Sequence, residues 1–230
     1  MKICGMNKTT LLDYPEHVAA TLFTGGCNFC CPFCHNAGLV LGDPSLEELE
    51  EEEVLTFLQK RKGILTGVCI TGGEPTLQAD LIEFIRKIKQ TGLLVKLDTN
   101  GYRPEVLQKL YEEKLLDYVA MDIKNSKEKY AQTVGREQID IGKLEESVRL
   151  IQESGVEYEF RTTVVQELHS REDLLAIGEW LEGSQKYFLQ SYQENENVIS
   201  PGYHAYEEAV MREYAELLSG KCELVSVRGI

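Results

Sequence analysis

Short apolar runs alternate along the chain with longer stretches whose apolar positions recur every three or four residues. Residues 18–24 (VAATLFT), bounded by Pro15 and by Gly25-Gly26, predict a buried strand. Ser45 predicts the N-cap of a helix through Lys62 that sets Val54, Leu55 and Leu58 on one face. Its acidic start and its Lys60-Arg61-Lys62 end suit the helix dipole, and Gly63 follows where a helix stops. The alternation then repeats. Strands are expected at 68–71, 94–98, 118–123, 158–165 and 187–190. Helices are expected at 79–90, from Pro104 onward, and at 144–153, 171–181 and 206–218, with a short tail strand at 223–227.

Six strand–helix units imply parallel strands joined by right-handed crossovers. A doubly wound sheet or a barrel-like curved sheet would satisfy that. A full eight-unit barrel typically needs about 250 residues, so the expectation is an α/β fold of the incomplete (β/α)6 barrel type, one domain over residues 1–230. Polar and glycine-rich clusters fall at the C-terminal ends of four predicted strands: Gly25-Gly26-Cys27, Thr71-Gly72-Gly73-Glu74, Asp98-Thr99-Asn100-Gly101 and Asp122-Ile123-Lys124. Parallel α/β folds build their ligand sites at that end, so the four clusters point to one shared site.

Composition narrows the function. The 230 residues hold 24 Lys+Arg against 38 Asp+Glu, a net charge of −14, which argues against nucleic acid as a partner. No apolar run reaches the roughly 20 residues that span a bilayer, so no membrane partner is expected. The N-terminus lacks the apolar core of a signal peptide. A cytoplasmic location is the expectation, and there seven cysteines read as ligands, reactive thiols or core residues rather than disulfides.

Four of those cysteines lie in Cys27-Asn28-Phe29-Cys30-Cys31-Pro32-Phe33-Cys34-His35. Cys31-x-x-Cys34-His35 fits c-type haem attachment, a chemistry of compartments outside the cytoplasm. A four-thiolate zinc site usually has two separated CxxC knuckles, whereas here they abut. A dithiol redox pair would want a thioredoxin-like setting. The preferred reading takes Cys27, Cys31 and Cys34, spaced C-x3-C-x2-C after the first strand, as ligands to three irons of a [4Fe–4S] cluster, leaving the fourth iron open to a small chelating molecule. Cys30 is then extra.

At this point the chain resembles the radical S-adenosylmethionine (SAM) enzymes. Within them it is most similar to the activases of glycyl-radical enzymes, especially the activating proteins of anaerobic ribonucleoside-triphosphate reductase. The resemblance runs through Asn7-Lys8-Thr9-Thr10-Leu11-Leu12-Asp13-Tyr14-Pro15, Phe23-Thr24-Gly25-Gly26-Cys27, Cys31-Pro32-Phe33-Cys34-His35-Asn36, Thr71-Gly72-Gly73-Glu74-Pro75, Leu97-Asp98-Thr99-Asn100-Gly101 and Met121-Asp122-Ile123-Lys124. It departs at Cys30, where family members more often carry a basic or neutral residue.

The resemblance implies that Gly72 and Gly73 let backbone approach the methionyl amino group, with Glu74 shaping the turn. Asp98 and Asp122, with Thr99 and Asn100 beside them, would help hold SAM, and a monovalent cation between the two carboxylates is a further expectation. Lys124 and Arg161 match positions near the ligand's carboxylate, although Arg161 could instead simply pair with Glu157 or Glu159. Asn36 and the backbone around Phe33 and His35 would face the adenine and ribose. Gln190 is a weaker site candidate. His17, His169 and His204 are expected to be structural or solvated, Cys4, Cys69 and Cys222 core residues, and Glu47 to Glu53 a solvated helix face.

The implied reaction is one-electron cleavage of SAM to methionine and a 5′-deoxyadenosyl radical, which takes hydrogen from a glycine Cα. The implied partners are a glycyl-radical enzyme, anaerobic ribonucleotide reductase first among them, and flavodoxin or ferredoxin as the electron donor. Two other readings remain: a radical SAM enzyme of small-molecule metabolism (deazapurine or cofactor biosynthesis), and a non-catalytic zinc-binding module.

Overall fold

A computed structural model describes all residues, 1–230. The strands are β1 (Ile3–Thr10), β2 (Ala19–Thr24), β3 (Gly67–Gly72), β4 (Leu94–Thr99), β5 (Tyr118–Asp122), β6 (Glu157–Val164), β7 (Lys186–Ser191) and β8 (Leu224–Arg228). Between β2 and β3 lie α1 (Ala37–Leu41) and α2 (Glu51–Lys60), and α3 (Leu81–Gln90) follows β3. Then α4 (Pro104–Glu112) follows β4, and α5 (Tyr130–Thr133) with α6 (Ile141–Glu153) follows β5. Finally α7 (Arg171–Trp180) follows β6, and α8 (Glu208–Leu217) follows β7.

All eight strands form one sheet in chain order. β2 through β8 are parallel, and β1 joins β2 antiparallel. The strand order never reverses. A doubly wound sheet requires such a reversal; without one, right-handed crossovers put every helix on the same side and the sheet curls around its other face. β1 and β8 do not pair with each other, so the result is the expected incomplete (β/α)6 barrel, β2 to β7, widened by one strand at each edge.

Strand alternation sorts the two faces. Leu97, Val119, Met121 and Phe160 are fully buried in the apolar core beneath the helices. There they meet faces such as that of α3, where Leu81, Phe84, Ile85 and Ile88 recur at helical spacing. The opposite positions, Lys96 and Asp98 on β4, Asp122 on β5, and Glu159 and Arg161 on β6, turn into the barrel and contact one another. The bottom of the barrel is stoppered by Tyr14, buried against Tyr118 with ring centroids 5.9 Å apart.

Two elements depart from the sequence expectation. β1 has no alternating pattern to announce it; its order comes from pairing with β2. The helix expected from Ser45 begins only at Glu51, because the Leu49 N–H donates to the Ile3 carbonyl at 2.8 Å and holds that segment extended against β1. Ser45 instead bonds the Asp43 carboxylate through its N–H and its hydroxyl. The acidic face is largely exposed, as expected, while Glu51 is half-buried between the Met1 ammonium and Lys87.

A Cβ on Gly67 would lie 2.7 Å from the Tyr14 ring, whereas one on Gly5 would meet only Phe23, at 3.7 Å. Gly67→Ala should therefore cost about 1–3 kcal/mol in chemical denaturation through overpacking. Gly5→Ala should change stability by less than about 0.5 kcal/mol, as at an ordinary surface position.

Candidate active site at the C-terminal rim of the barrel

The cysteine segment has no regular structure of its own, so its backbone polar groups must find partners elsewhere. The Cys30 N–H donates to the Val134 carbonyl (3.0 Å) and the Cys34 N–H to that of Cys31 (3.0 Å). From the loop after β7, the N–H groups of Ile199 and Ser200 donate to the carbonyls of Cys34 (3.2 Å) and Pro32 (2.8 Å). The loop is thus held open over the rim from both sides.

Cys27, Cys31 and Cys34 line one cavity, and Cys30 is exposed outside it. All three lining thiols are free. Burial pushes the Cys27 thiol up to about 11 and the Cys31 thiol up to about 12, so protons must leave when a metal binds. The Cys27 sulfur accepts from the Phe29 N–H at 3.4 Å and from the Asn100 amide at 3.8 Å. The three thiols line one space. A cluster takes one thiolate per iron, so an all-sulfur set of three fits it.

Every residue singled out from the sequence lines that same cavity: Phe33, His35, Asn36, Gly72, Gly73, Glu74, Asp98, Thr99, Asn100, Asp122, Lys124 and Arg161 join the three cysteines. So does Gln190. Thr71, part of the expected rim cluster though given no role of its own, also lines it, as do Thr163 and Val40, which escaped sequence reasoning; Thr163 carried one usable signal, its place two residues beyond Arg161 on the same strand face.

The two glycines have a different immediate cause from ligand approach. A Cβ on Gly73 would lie 2.0 Å from the Gly26 carbonyl oxygen, and one on Gly72 would lie 2.4 Å from the Thr24 nitrogen. Their small size lets the turn after β3 press against the turn after β2. There Gly73 N–H donates to Thr24 O and Glu74 N–H to Gly26 O, both at 2.8 Å. Glu74 is buried, and its carboxylate accepts from Thr76 N–H (3.0 Å), the Thr99 hydroxyl (2.7 Å) and the Asn100 N–H (2.7 Å). It thereby ties the turn after β3 to the turn after β4. Burial holds this carboxyl above its ordinary value even against those donors. The Asn36 amide donates to Gly72 O at 3.0 Å, which joins the cysteine loop to the same assembly.

Asp98 and Asp122 are bridged by Arg161. Its guanidinium reaches Asp98 at 3.2 Å and Asp122 at 2.9 Å, while Glu159 stands at 3.9 Å. Glu157 pairs with Lys186 instead. Arg161 thus keeps the expected pairing with Glu159 only as its longest contact, binds the two rim carboxylates more closely, and stands in the position expected for a monovalent cation. Lys96 pairs with Asp98, and Lys124 with Asp122 at 3.0 Å. Burial would push both carboxyls up, but Arg161 and the lysines hold them below the usual carboxylate range. Lys124 is raised because Asp122 outweighs its burial.

His169 is fully buried. Its Nδ1 accepts from Val165 N–H (3.1 Å), and its Nε2 contacts the Lys124 carbonyl at 2.8 Å. That arrangement makes Nε2 the donor, and burial lowers its pKa. His17 contacts Thr66, and exposed His204 pairs with Glu167. Cys4, Cys69 and Cys222 are buried.

Arg161→Met should leave two close carboxylates without their shared cation and cost about 3–5 kcal/mol at neutral pH, as breaking a buried pair does. Because the folded pKa values of both acids are depressed, that stabilisation is present above the unfolded value near 3.9 and is lost as pH falls through the folded ones. The stability gap between native protein and variant, followed by denaturation against pH, should therefore shrink below about pH 4.

The radical SAM superfamily profile matches residues 21–181. A Methanocaldococcus jannaschii protein provisionally named glycyl-radical enzyme activating enzyme is 34% identical over 199 residues, 83% of this chain and 80% of that protein. A Sulfolobus acidocaldarius protein provisionally named GTP 3',8-cyclase is 39% identical over 109 residues, 47% of this chain; the match spans 34% of the cyclase. Among solved structures, Streptococcus suis SuiB bound to precursor peptide SuiA matches 89% of this chain with a TM-score of 0.69 at 14% identity; the match spans 47% of SuiB, and it speaks to the fold alone. No helix is long and apolar enough to cross a membrane. A superfamily match over most of the length, and a relative 34% identical over four-fifths of both chains, settle the family: the chain belongs to the radical SAM superfamily, whose enzymes use a [4Fe–4S] cluster and SAM.

Proposed function

We propose that this radical SAM enzyme activates a glycyl-radical enzyme, and that residues 1–230 act as one domain. The observation that carries the proposal is the 34% identity to a protein named for that activity over 80% of its length. The finer reading, a partner of the anaerobic ribonucleoside-triphosphate reductase type with flavodoxin or ferredoxin as electron donor, rests on the sequence resemblance alone. Seven free cysteines suit the reducing cytoplasm.

Cys27, Cys31 and Cys34 would hold the cluster. When bound, that cluster supplies the single electron that cleaves SAM into methionine and a 5′-deoxyadenosyl radical. The protein's own residues orient and shield. Lys124, hydrogen-bonded to Asp122 and carried on a backbone braced by His169, presents an ammonium suited to the carboxylate of SAM. The Arg161 guanidinium keeps Asp98 and Asp122 ionised, so the rim can face cationic ligand groups, an ammonium and a sulfonium. Carbonyls and amides of the turns after β2 and β3 are fixed by Glu74 before any ligand arrives. His35, stacked on Tyr192 (ring centroids 6.4 Å, 13° between planes), and Phe33 provide flat and apolar surface for an adenine.

A second reading, small-molecule radical chemistry, has the cyclase likeness behind it, which covers 47% of this chain. The two diverge on the substrate and share the cavity.

In anaerobic reconstitution, Cys31→Ala should lose nearly all bound iron, while Cys30→Ala should keep the full cluster content by iron and sulfide assay. The opposite pattern would move the ligand set to Cys27 and Cys30. Mixing the reduced, SAM-loaded protein with a glycyl-radical reductase should produce the glycyl doublet in electron paramagnetic resonance. SAM cleavage without a doublet from any such partner, but with turnover of a nucleotide, would establish the small-molecule reading instead.

A further inference from the structure

The monovalent cation expected between Asp98 and Asp122 does not fit the site, because the carboxylate oxygens are already taken. Asp98 Oδ1 accepts from Lys96 Nζ, and Asp98 Oδ2 from Arg161 at 3.2 Å. Asp122 Oδ1 accepts from Arg161 Nε at 2.9 Å, and Asp122 Oδ2 from Lys124 Nζ at 3.0 Å. Each of the four oxygens therefore faces a cationic nitrogen. A further cation between these carboxylates would sit against those nitrogens, like charge beside like.

The balance of charge says the same. The ladder continues to Glu159, which pairs with Arg228 at 2.8 Å. Its three carboxylates, Asp98, Asp122 and Glu159, meet four cationic side chains, those of Lys96, Lys124, Arg161 and Arg228. Positive charge is already in excess by one. An added ion would lose its hydration there without gaining a carboxylate oxygen of its own.

The members of the ladder differ in their freedom. Asp98, Asp122, Lys124 and Arg161 line the cavity. Lys96 lies outside it, 2% exposed, with its Nζ 3.8 Å from the Cys69 sulfur and 5.9 Å from the centre of the Tyr118 ring. Lys124 can turn toward a ligand while Arg161 still holds Asp122. Lys96 has Asp98 as its one carboxylate at ion-pair distance, so it has nowhere else to go. Because Lys96 takes Oδ1 of Asp98, Arg161 spends only one nitrogen on that carboxylate and keeps Nε for Asp122.

We propose that Lys96 is a built-in counter-ion and positioning residue. With Arg161 it does from within the chain what a bound monovalent cation would do between Asp98 and Asp122, so SAM binding by this enzyme needs neither sodium nor potassium. Removing the ammonium of Lys96 creates that requirement, because it leaves a carboxylate oxygen facing a vacated, cation-sized position.

The test is isothermal titration calorimetry of SAM into the anaerobically reconstituted, unreduced protein, with all samples matched for iron content. The titration is run in potassium, sodium and tetramethylammonium chloride at equal ionic strength, which keeps general screening constant; tetramethylammonium is too bulky for a site between two carboxylates. The native protein should bind SAM with the same affinity in all three salts. Lys96→Met, whose side chain ends one atom short of Nζ, should bind SAM about tenfold more weakly in tetramethylammonium, as loss of a charge-assisted hydrogen bond implies. Potassium or sodium should restore its affinity. Damage to packing alone would weaken binding equally in every salt. Lys96→Gln keeps a neutral donor, should show the same salt dependence, and carries the test if the methionine variant does not fold. The readout is SAM binding alone, so the outcome is separate from the choice between a protein and a small-molecule substrate. A native protein that needs sodium or potassium for full affinity overturns the proposal, as does a folded Lys96 variant that responds alike to the three salts.

Discussion

The organising constraint is the burial of opposite charges inside an open barrel. Asp98 and Asp122 end neighbouring parallel strands, and two ionised carboxylates in such a place repel. Arg161 stands between them, with Lys96 and Lys124 on the outer sides. The pairing exchanges hydration for fixed partners, and it leaves the rim with carboxylates that are ionised yet immobile. A site that must accept a ligand carrying both signs of charge gains from that preorganisation, because its own groups need not rearrange when the ligand arrives.

The charge ladder also links strands that do not touch. Arg161 on β6 reaches past its neighbour β5 to Asp98 on β4, and Glu159 on the same strand reaches past β7 to Arg228 on β8. The two edges of the sheet are unpaired, and these ion pairs tie alternate strands together across the interior of the open barrel. The rim above is assembled by a separate device, close backbone contact. Gly72 and Gly73 admit the turn after β2 at distances no Cβ would allow, and Glu74 then gathers the next turn. The catalytic face is therefore built from loops anchored to one another as well as to their strands.

Much of this was readable from residues alone. The six parallel strands followed from their apolar runs, and the rim site from polar clusters falling at strand ends. All fifteen residues singled out there line one cavity, because motif positions at the ends of adjacent parallel strands are neighbours whatever the details of packing. What was not readable depended on distant partners. β1 is ordered by β2, and Leu49 is held extended by Ile3, so neither has a local signature. Lys96 looks like an ordinary strand lysine until Asp98 and Arg161 surround it.

Local pattern, then, determined the succession of strands and helices, the side of the sheet where chemistry gathers, and the three cysteines suited to a cluster. Periodicity and motif spacing are properties of consecutive residues, and they survive without knowledge of the fold. Tertiary structure alone decided that Arg161 bridges two aspartates, that Cys30 faces away from the cavity, that two glycines serve loop contact, and that Arg228 is neutralised beside the rim. Each of those is a distance between residues far apart in the chain, fixed only once the curled sheet has brought its strands around a common interior.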